Sequence, residues 1–370
     1  MKILHAGNLA NLGYLATREL RRAGMDVELL MEKNPPKGSD PTRFDPALNN
    51  SYPDWIFFYD KRKLSWKTDI IKIMRDKKYD LIHAYVELPI FAYVSRRLFV
   101  AHTLGSDFRS LAFSNSIRGM LLRRAYKRAK IVLYSQADHL PLFSKLKLTN
   151  HLFIPILWDT SFYKSQKIAD SPYSDKFVIF HPANLDWNLK RNDVFLKGFS
   201  EFTKINSNSV LIIVDRGVDA EKTHQLVKSL SMQDKAIFIK GPLNSTEMLR
   251  YYNLSDVVVD QFGVGSIGAI GLETFCCAKP LITFIHEKLH ESVYREVPPV
   301  CNAQNSYEIT KQLEYLIDNN NRSKIGKQGY EWVIKHHSPN VFSRKIRSIY
   351  ESVLNEEKIE QIHEKISQIS

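Results

Sequence analysis

The sequence is poor in the groups that define several classes of protein. Its 370 residues hold three cysteines, with Cys276 and Cys277 adjacent and Cys301 apart. Three cannot supply a disulfide framework or a four-cysteine metal site, and they point to a reducing compartment with small buried thiols. No apolar run reaches the ~18 residues of a membrane span. Residues 1–4 enter a strand pattern with no signal-peptide core, so a cytoplasmic location is expected. Acidic residues fall short of basic ones, 40 against 52, and the formal charge of +12 favours anionic partners. The basic residues are spread out and not interleaved with a stacking aromatic platform, which argues against nucleic acid.

What the chain does contain is a repeated alternation of short apolar runs and amphipathic helices, which at this length argues for two domains. Residues 2–6 read as a buried strand, residues 7–13 as the loop after it, residues 15–23 as a helix stopped by Gly24, and residues 25–30 as the next strand. Such a βαβ unit puts a loop at a ligand edge, so Gly7 and Gly13 serve either a tight turn alone or close approach to a ligand. Residues 34–55, rich in proline and turn formers, read as a long exposed loop. Another strand closes at Gly105-Ser106-Asp107, where Asp107 and Arg109 either face a ligand or begin a helix. In residues 116–130, Ile117, Met120, Leu121, Ala125 and Ala129 predict an apolar stripe, opposite Arg118, Arg123, Arg124, Lys127, Arg128 and Lys130. That basic face is either solvated surface or a rest for anionic lipid. Residues 152–159, with Pro155, read as the link between domains.

Glycine is sparse, at 15 residues, yet Gly263, Gly265, Gly268 and Gly271 crowd into the stretch 257–282, VVVDQFGVGSIGAIGLETFCCAKPLI. The order is strand, glycine loop, helix. Glycines there let backbone approach a ligand, and the helix N-terminus favours a phosphate. Glu273, the only acid between Asp260 and Glu287, falls in the first turns of that helix. It can accept two hydrogen bonds from a vicinal diol such as a ribose, or simply favour the helix dipole. Upstream, strands and helices alternate from residue 177, and Asn184 leads into a cationic turn ending at Lys190 and Arg191. Both halves predict a parallel α/β sheet with its ligand edge at the strand carboxyl ends, and two such edges would face each other across a cleft.

In order and spacing, these motifs resemble one family over nearly the whole chain: the GT-B fold glycosyltransferases, most similar to the nucleotide-sugar-dependent retaining enzymes of family 4. The landmarks are Gly7 to Gly13, Gly105-Ser106-Asp107, Ser135, Ile154-Pro155 with Trp158-Asp159, Lys190, Gly241, Glu273, Ala278-Lys279-Pro280 and His336-His337-Ser338. The resemblance implies two Rossmann-like doubly wound domains: residues 1–157 for the acceptor and 158–337 for the nucleotide-sugar donor. Residues 338–370 would form a helical segment crossing back to the first domain.

By the same resemblance, Glu273 binds the ribose hydroxyls and Lys190 neutralises the donor diphosphate. Arg191 would assist it, because Asn184 stands where many members have an arginine. Amides of Ile267, Gly268 and Ala269 would hold phosphate, Gly241 to Leu243 would lie against the base, and Gly7 with Asn8 would approach from the other domain. Asp107 and His102 fall to the acceptor side. Two departures stand out: Gly265 replaces the first acid of the family's E-x7-E motif, and Leu104 occupies a slot often held by histidine. His102, two residues earlier, either takes over that role or is a buried strand histidine. The implied activity is sugar transfer from a nucleoside-diphosphate sugar to a glycan, lipid-linked or small-molecule acceptor. It would proceed with retention, with no cofactor or metal beyond the donor, and with peripheral contact at the inner face of an anionic membrane. A silent sugar-nucleotide-binding protein and a nucleotide-sugar epimerase on the same fold are the alternatives.

Overall fold

The computed structural model describes residues 1–369, which fall into two units: residues 1–159 with the C-terminal segment from His336, and residues 160–335. In the first unit, β1 (Lys2–Ala6), β2 (Asp26–Glu32), β3 (Ile56–Tyr59), β4 (Leu81–Tyr85), β5 (Phe99–Thr103), β6 (Val132–Tyr134) and β7 (His151–Phe153) form one sheet in the order β3-β2-β1-β4-β5-β6-β7. Its pairings are all parallel. In the second, β8 (Phe177–His181), β9 (Ser209–Asp215), β10 (Ala236–Lys240), β11 (Val257–Val259), β12 (Leu281–Thr283) and β13 (Cys301–Asn302) form a parallel sheet in the order β10-β9-β8-β11-β12-β13. Each unit is thus a doubly wound α/β sheet with every strand's carboxyl end on one edge. Among the described residues no helix is long and apolar enough to cross a membrane.

The strands are short apolar runs because both faces of a parallel sheet are covered by helices. Along the helix Pro339–Leu354, Phe342, Ile346, Ile349 and Val353 recur at helical spacing and enter the same core as Leu15, Val27, Leu81 and Val100. That stripe attaches the chain's end to the first unit. The second core joins Ile179, Leu211 and Val257 to Phe195 and Phe199 of the helix Asn192–Ile205 and to Ile309 and Leu313 of the helix Ser306–Tyr315.

Two expectations are corrected. Residues 34–55 are not a plain exposed loop. They contain 3-10 turns at Lys37–Ser39 and Pro46–Leu48 and a short helix, Pro41–Phe44, capped by the Asp40 side chain on the Thr42 amide. Asp45 is buried and accepts hydrogen bonds from the Tyr14 hydroxyl and from Arg18, each at 2.7 Å. Arg18 also reaches Glu19 and Asp159 at 2.7 Å, so one guanidinium fork ties this segment to the first helix and to the end of the unit. The second correction concerns the helix Ile117–Arg128, whose buried face is rotated from the expected stripe and retains Ala125, with Ala129 just beyond the helix. Gly119, Leu122, Ala125 and Tyr126 are buried, while Ile117 is 73% and Met120 38% exposed. Gly119 belongs inside because a Cβ there would lie 2.5 Å from the Leu111 carbonyl, and Tyr126 because its hydroxyl reaches Asp107. A reading that counts only aliphatic residues misses both.

A polar row crosses the apolar sheet of the first unit. His5 on β1, His83 on β4 and His102 on β5 are all buried. The Thr17 hydroxyl donates to the Gly13 carbonyl at 2.7 Å, so toward His5 it can only accept, and Nδ1 of His5 donates to it at 3.0 Å. Nε2 of His5 then accepts from the Tyr350 hydroxyl at 2.7 Å, and that oxygen accepts from Nδ1 of His83 at 2.6 Å. Nε2 of His83 accepts from Nδ1 of His102 at 3.1 Å, whose Nε2 accepts from Ser135 Oγ at 2.8 Å. Proton counting gives the row a single direction and satisfies every ring nitrogen. Burial holds the imidazoles neutral: His5 and His102 are pushed down to about 3, and His83 well below its ordinary value.

Candidate functional site

The carboxyl edge of the second sheet is built around the glycine stretch. β11 ends at Val259, and the helix Ala269–Cys276 starts after Gly268. Two of the glycines are required by their neighbours. A Cβ on Gly263 would lie 2.4 Å from the Leu189 carbonyl, and Gly265 has φ +72 with the His286 ring 2.4 Å from where its Cβ would be. Gly268 is different: nothing lies within 4 Å of its would-be Cβ. Ile267 is buried and Ala269 exposed, so the first turn of the helix presents amide groups on the open side.

Glu273, in the second turn of that helix, is buried, and its Oε2 accepts a hydrogen bond from the Tyr252 hydroxyl at 2.6 Å. Burial raises its pKa to about 7; hydrogen bonds from Tyr252 and Tyr163 and the charge of Arg216 oppose the shift, and the charge of Asp260 adds to it. Asp260, directly after β11, is 3% exposed, and its Oδ1 has no hydrogen-bond partner among the described residues. Burial holds this carboxyl above its ordinary range, opposed by Lys190, whose Nζ lies 4.0 Å away. The backbone of Lys190 is fixed on both sides, its amide donating to the Asp186 carbonyl at 2.7 Å and its carbonyl accepting from the Phe262 amide at 2.9 Å. Lys190, Asp260 and Glu273 are therefore electrostatically joined at one sheet edge.

Arg191 begins the helix Asn192–Ile205 in the left-handed region and lies 4.0 Å from Asp193. Its Cγ sits 3.2 Å from the would-be Cβ of Gly263, which keeps it beside the glycine loop. Asn184 is exposed on the same loop. Gly241 follows β10, with a cis peptide to Pro242. A Cβ there would meet Val214 at 2.7 Å and Arg216 at 3.1 Å, while Leu243 is half-buried beyond.

The remaining expected residues belong to the first unit. Gly7 has φ +107, and a Cβ on Gly13 would lie 2.0 Å from the Gly7 carbonyl, so the two glycines make one tight turn. Asn8 completes it, accepting from the Tyr14 amide and donating to the Ser39 carbonyl, each at 2.9 Å. Asp107 is buried. One oxygen accepts from the amides of Gly105 (2.7 Å) and Leu104 (3.2 Å) and the other from the Tyr126 hydroxyl (3.1 Å), while burial raises its pKa. His102 has both ring nitrogens engaged in the histidine row. At this edge a cavity of about 270 Å³ is lined by Gly7, Asn8, Tyr59, Trp66, Glu87 and Arg118, among others.

Sequence reasoning missed Asp260, Tyr252, Tyr163, Arg216 and His286. Asp260 carried a signal, an acid closing an otherwise apolar strand, VVVD. The others carried none. His286 explains the departure at Gly265, because its imidazole occupies the space that a side chain there would need.

The family of glycosyl transferases group 1 matches residues 164–332, nearly all of the second unit. Over 334 residues the chain is 22% identical to N-acetyl-alpha-D-glucosaminyl L-malate synthase of Bacillus anthracis, covering 85% of each chain. Among solved structures, Anabaena Alr3699/HepE in complex with UDP and glucose matches with a TM-score of 0.73 at 14% identity, over 95% of this chain and 100% of its own. Sucrose-phosphate synthase from Thermosynechococcus elongatus matches with a TM-score of 0.68 at 14% identity, over 96% and 100%. The chain carries a glycosyl transferases group 1 domain on a fold of two parallel-sheet α/β units, and it is a glycosyltransferase enzyme.

Proposed function

We propose that this glycosyltransferase moves a sugar from a nucleoside-diphosphate sugar, with retention, as a relative of the family 4 enzymes. The observation that carries this reading is the incomplete polar cluster of Lys190, Asp260 and Glu273 beside the open amides at Gly268. A nucleoside diphosphate fits the cation and the second carboxylate of this cluster. Its diphosphate meets the Lys190 ammonium and the helix N-terminus, and its ribose diol donates to the carboxylate oxygens of Glu273. Uracil is the first base to test, because Anabaena HepE is solved with UDP and glucose.

Departure of the diphosphate concentrates negative charge on its leaving oxygen. Lys190, Arg191 and the amides of Ile267, Gly268 and Ala269 stabilise that charge more in the transition state than in the ground state. Retention then follows from front-face attack assisted by the departing phosphate, which needs no protein nucleophile. Gly241 and Leu243 border the base. In the first unit, Gly7 and Asn8 shape a loop at the edge that takes a glycan, lipid-linked or small-molecule acceptor. Asp107 and His102 act there by holding their loop and strand, since their polar atoms are engaged. The donor is a substrate, and no further cofactor is invoked. Three buried cysteines support a reducing, cytoplasmic setting.

Transfer assays with a panel of nucleotide sugars test the reading. Lys190→Ala and Glu273→Ala are expected to lower transfer severely, Lys190→Ala by about 10²–10³-fold, while far-ultraviolet circular dichroism stays that of the wild type. Full activity in either variant would refute the assignment.

A further inference from the structure

A second cavity lies at the opposite edge of the first sheet, where β5 and β6 begin. It measures about 620 Å³ and is lined by Arg96, Arg97, Arg128 and Lys130 together with Tyr93, Val94, Leu98 and Phe99. Arg75 stands at its wall, donating to the Val94 carbonyl at 3.4 Å, and Arg97 donates to the Tyr79 carbonyl. Four cations thus line one concavity that has no acidic residue in its lining, and Arg75 adjoins it through Val94. None of the five forms an ion pair among the described residues. Elsewhere in this unit, cations such as Arg18, Arg109 and Arg118 are paired with carboxylates.

Like charges gathered around a cavity repel, and at an ordinary solvated surface long side chains relax that repulsion by spreading apart. Here the backbone positions that bring them together are fixed, and the Arg97 and Arg75 side chains are held as well. Arg96 follows the helix Pro89–Ser95 in the left-handed region, and Arg97 is fixed by its backbone partner. Lys130 is tied through its amide to the Phe99 carbonyl at 3.0 Å. Guanidinium groups match phosphate oxygens in a bidentate geometry, and the half-buried Leu98 and Tyr93 supply an apolar floor.

We propose that this cavity is a binding site for a phosphate-bearing anion, separate from the donor site and independent of the reading given above for it. The phosphate comes either from an anionic lipid headgroup or from a soluble polyphosphate; the recognising chemistry is the same.

The test uses the full chain and two probes: vesicles of phosphatidylcholine with or without phosphatidylglycerol in a flotation assay, and tripolyphosphate in a calorimetric titration. The pocket variant is the triple Arg96→Ser, Arg128→Ser and Lys130→Ser, all exposed positions that leave Arg97 in place. The control removes the same charge from the second unit, by Lys204→Ser, Lys222→Ser and Lys327→Ser, whose side chains are 67%, 65% and 78% exposed.

The wild type and the control bind at least one probe. The pocket variant binds roughly a hundredfold more weakly, at the ~1 kcal/mol that each cation contributes near an anionic surface. Binding of phosphatidylglycerol vesicles alone assigns the lipid source, binding of tripolyphosphate alone the soluble one, and binding of both supports the shared chemistry. Wild-type protein that binds neither probe, or a control that loses as much as the pocket variant, overturns the proposal. UDP titrated into the same variants separates the two sites, because the pocket triple leaves the donor site untouched.

Discussion

Two buried polar networks, one in each unit, are built in opposite ways. In the first, three histidines, a tyrosine, a threonine and a serine form a row in which each ring nitrogen has a partner and burial keeps every imidazole neutral. In the second, Asp260 is buried with one carboxylate oxygen unpartnered, Lys190 stands 4.0 Å away, and Glu273 is raised to about 7. A completed network specifies a core, whereas an incomplete one at a sheet's carboxyl edge is stable only because its cost is small beside the whole fold, and a ligand can relieve it. On the proposed reading, the contrast separates residues that build the protein from residues that serve the reaction, although both sets are charged or polar and largely hidden from solvent.

The largest effect expected from breaking this contrast is catalytic. Lys190→Ala removes the ammonium from the leaving group and should lower kcat by about 10²–10³-fold, as loss of one oxyanion donor does, with thermal unfolding little changed. Single-turnover transfer kinetics and calorimetry read the two together. Tyr350→Phe should do the reverse. It leaves Nε2 of His5 and Nδ1 of His83 without their shared hydroxyl, and the expected cost is about 1–3 kcal/mol of stability by denaturant unfolding. UDP affinity should stay at the wild-type level.

Acidity sharpens the contrast because the two networks respond with opposite sign. The histidines of the row have native values far below their unfolded 6.5. Their contribution to stability is fully present above that value and is lost as pH falls from 6.5 toward about 3, at up to about 1.4 kcal/mol per pH unit for each histidine. Glu273 is raised from 4.5 to about 7, so its contribution is present below 4.5 and lost as pH rises through 7. Only the ionised form accepts fully from a diol, so UDP affinity should rise with pH up to about 7 and then level off. Titrations from mildly acidic to mildly basic buffer check both slopes. The smallest effect is expected at Asn244, whose side chain caps the helix that carries Tyr252 and takes part in a reciprocal capping box with Glu247. Asn244→Ala should cost about 1 kcal/mol in thermal unfolding while leaving transfer close to normal.

Much of the fold could be read from the chain because each strand of a doubly wound sheet is a short, continuous apolar run between helices. Val257 to Val259, for example, announces a strand without any knowledge of its neighbours. The helix Ile117–Arg128 was placed correctly but faced wrongly, because its buried side includes a glycine and a tyrosine whose partners, Leu111 and Asp107, cannot be inferred from periodicity. At the site, Lys190 and Glu273 stand in motifs whose order along the chain carries meaning. Tyr252 and His286 do not, since each meets its partner, Glu273 or Gly265, only after separate βα units have folded side by side. His286 also shows why restoring a glutamate at Gly265 would fail. The backbone there is left-handed, and the space is already taken by an imidazole.

Calorimetric titration of uridine and UDP into the wild type, Lys190→Ala and Glu273→Gln tests the central claim most directly, because it separates the diphosphate from the ribose. The account predicts that UDP binds the wild type more tightly than uridine, that Lys190→Ala erases this advantage while leaving uridine unchanged, and that Glu273→Gln weakens both ligands. Wild-type affinity for UDP in both variants would contradict it.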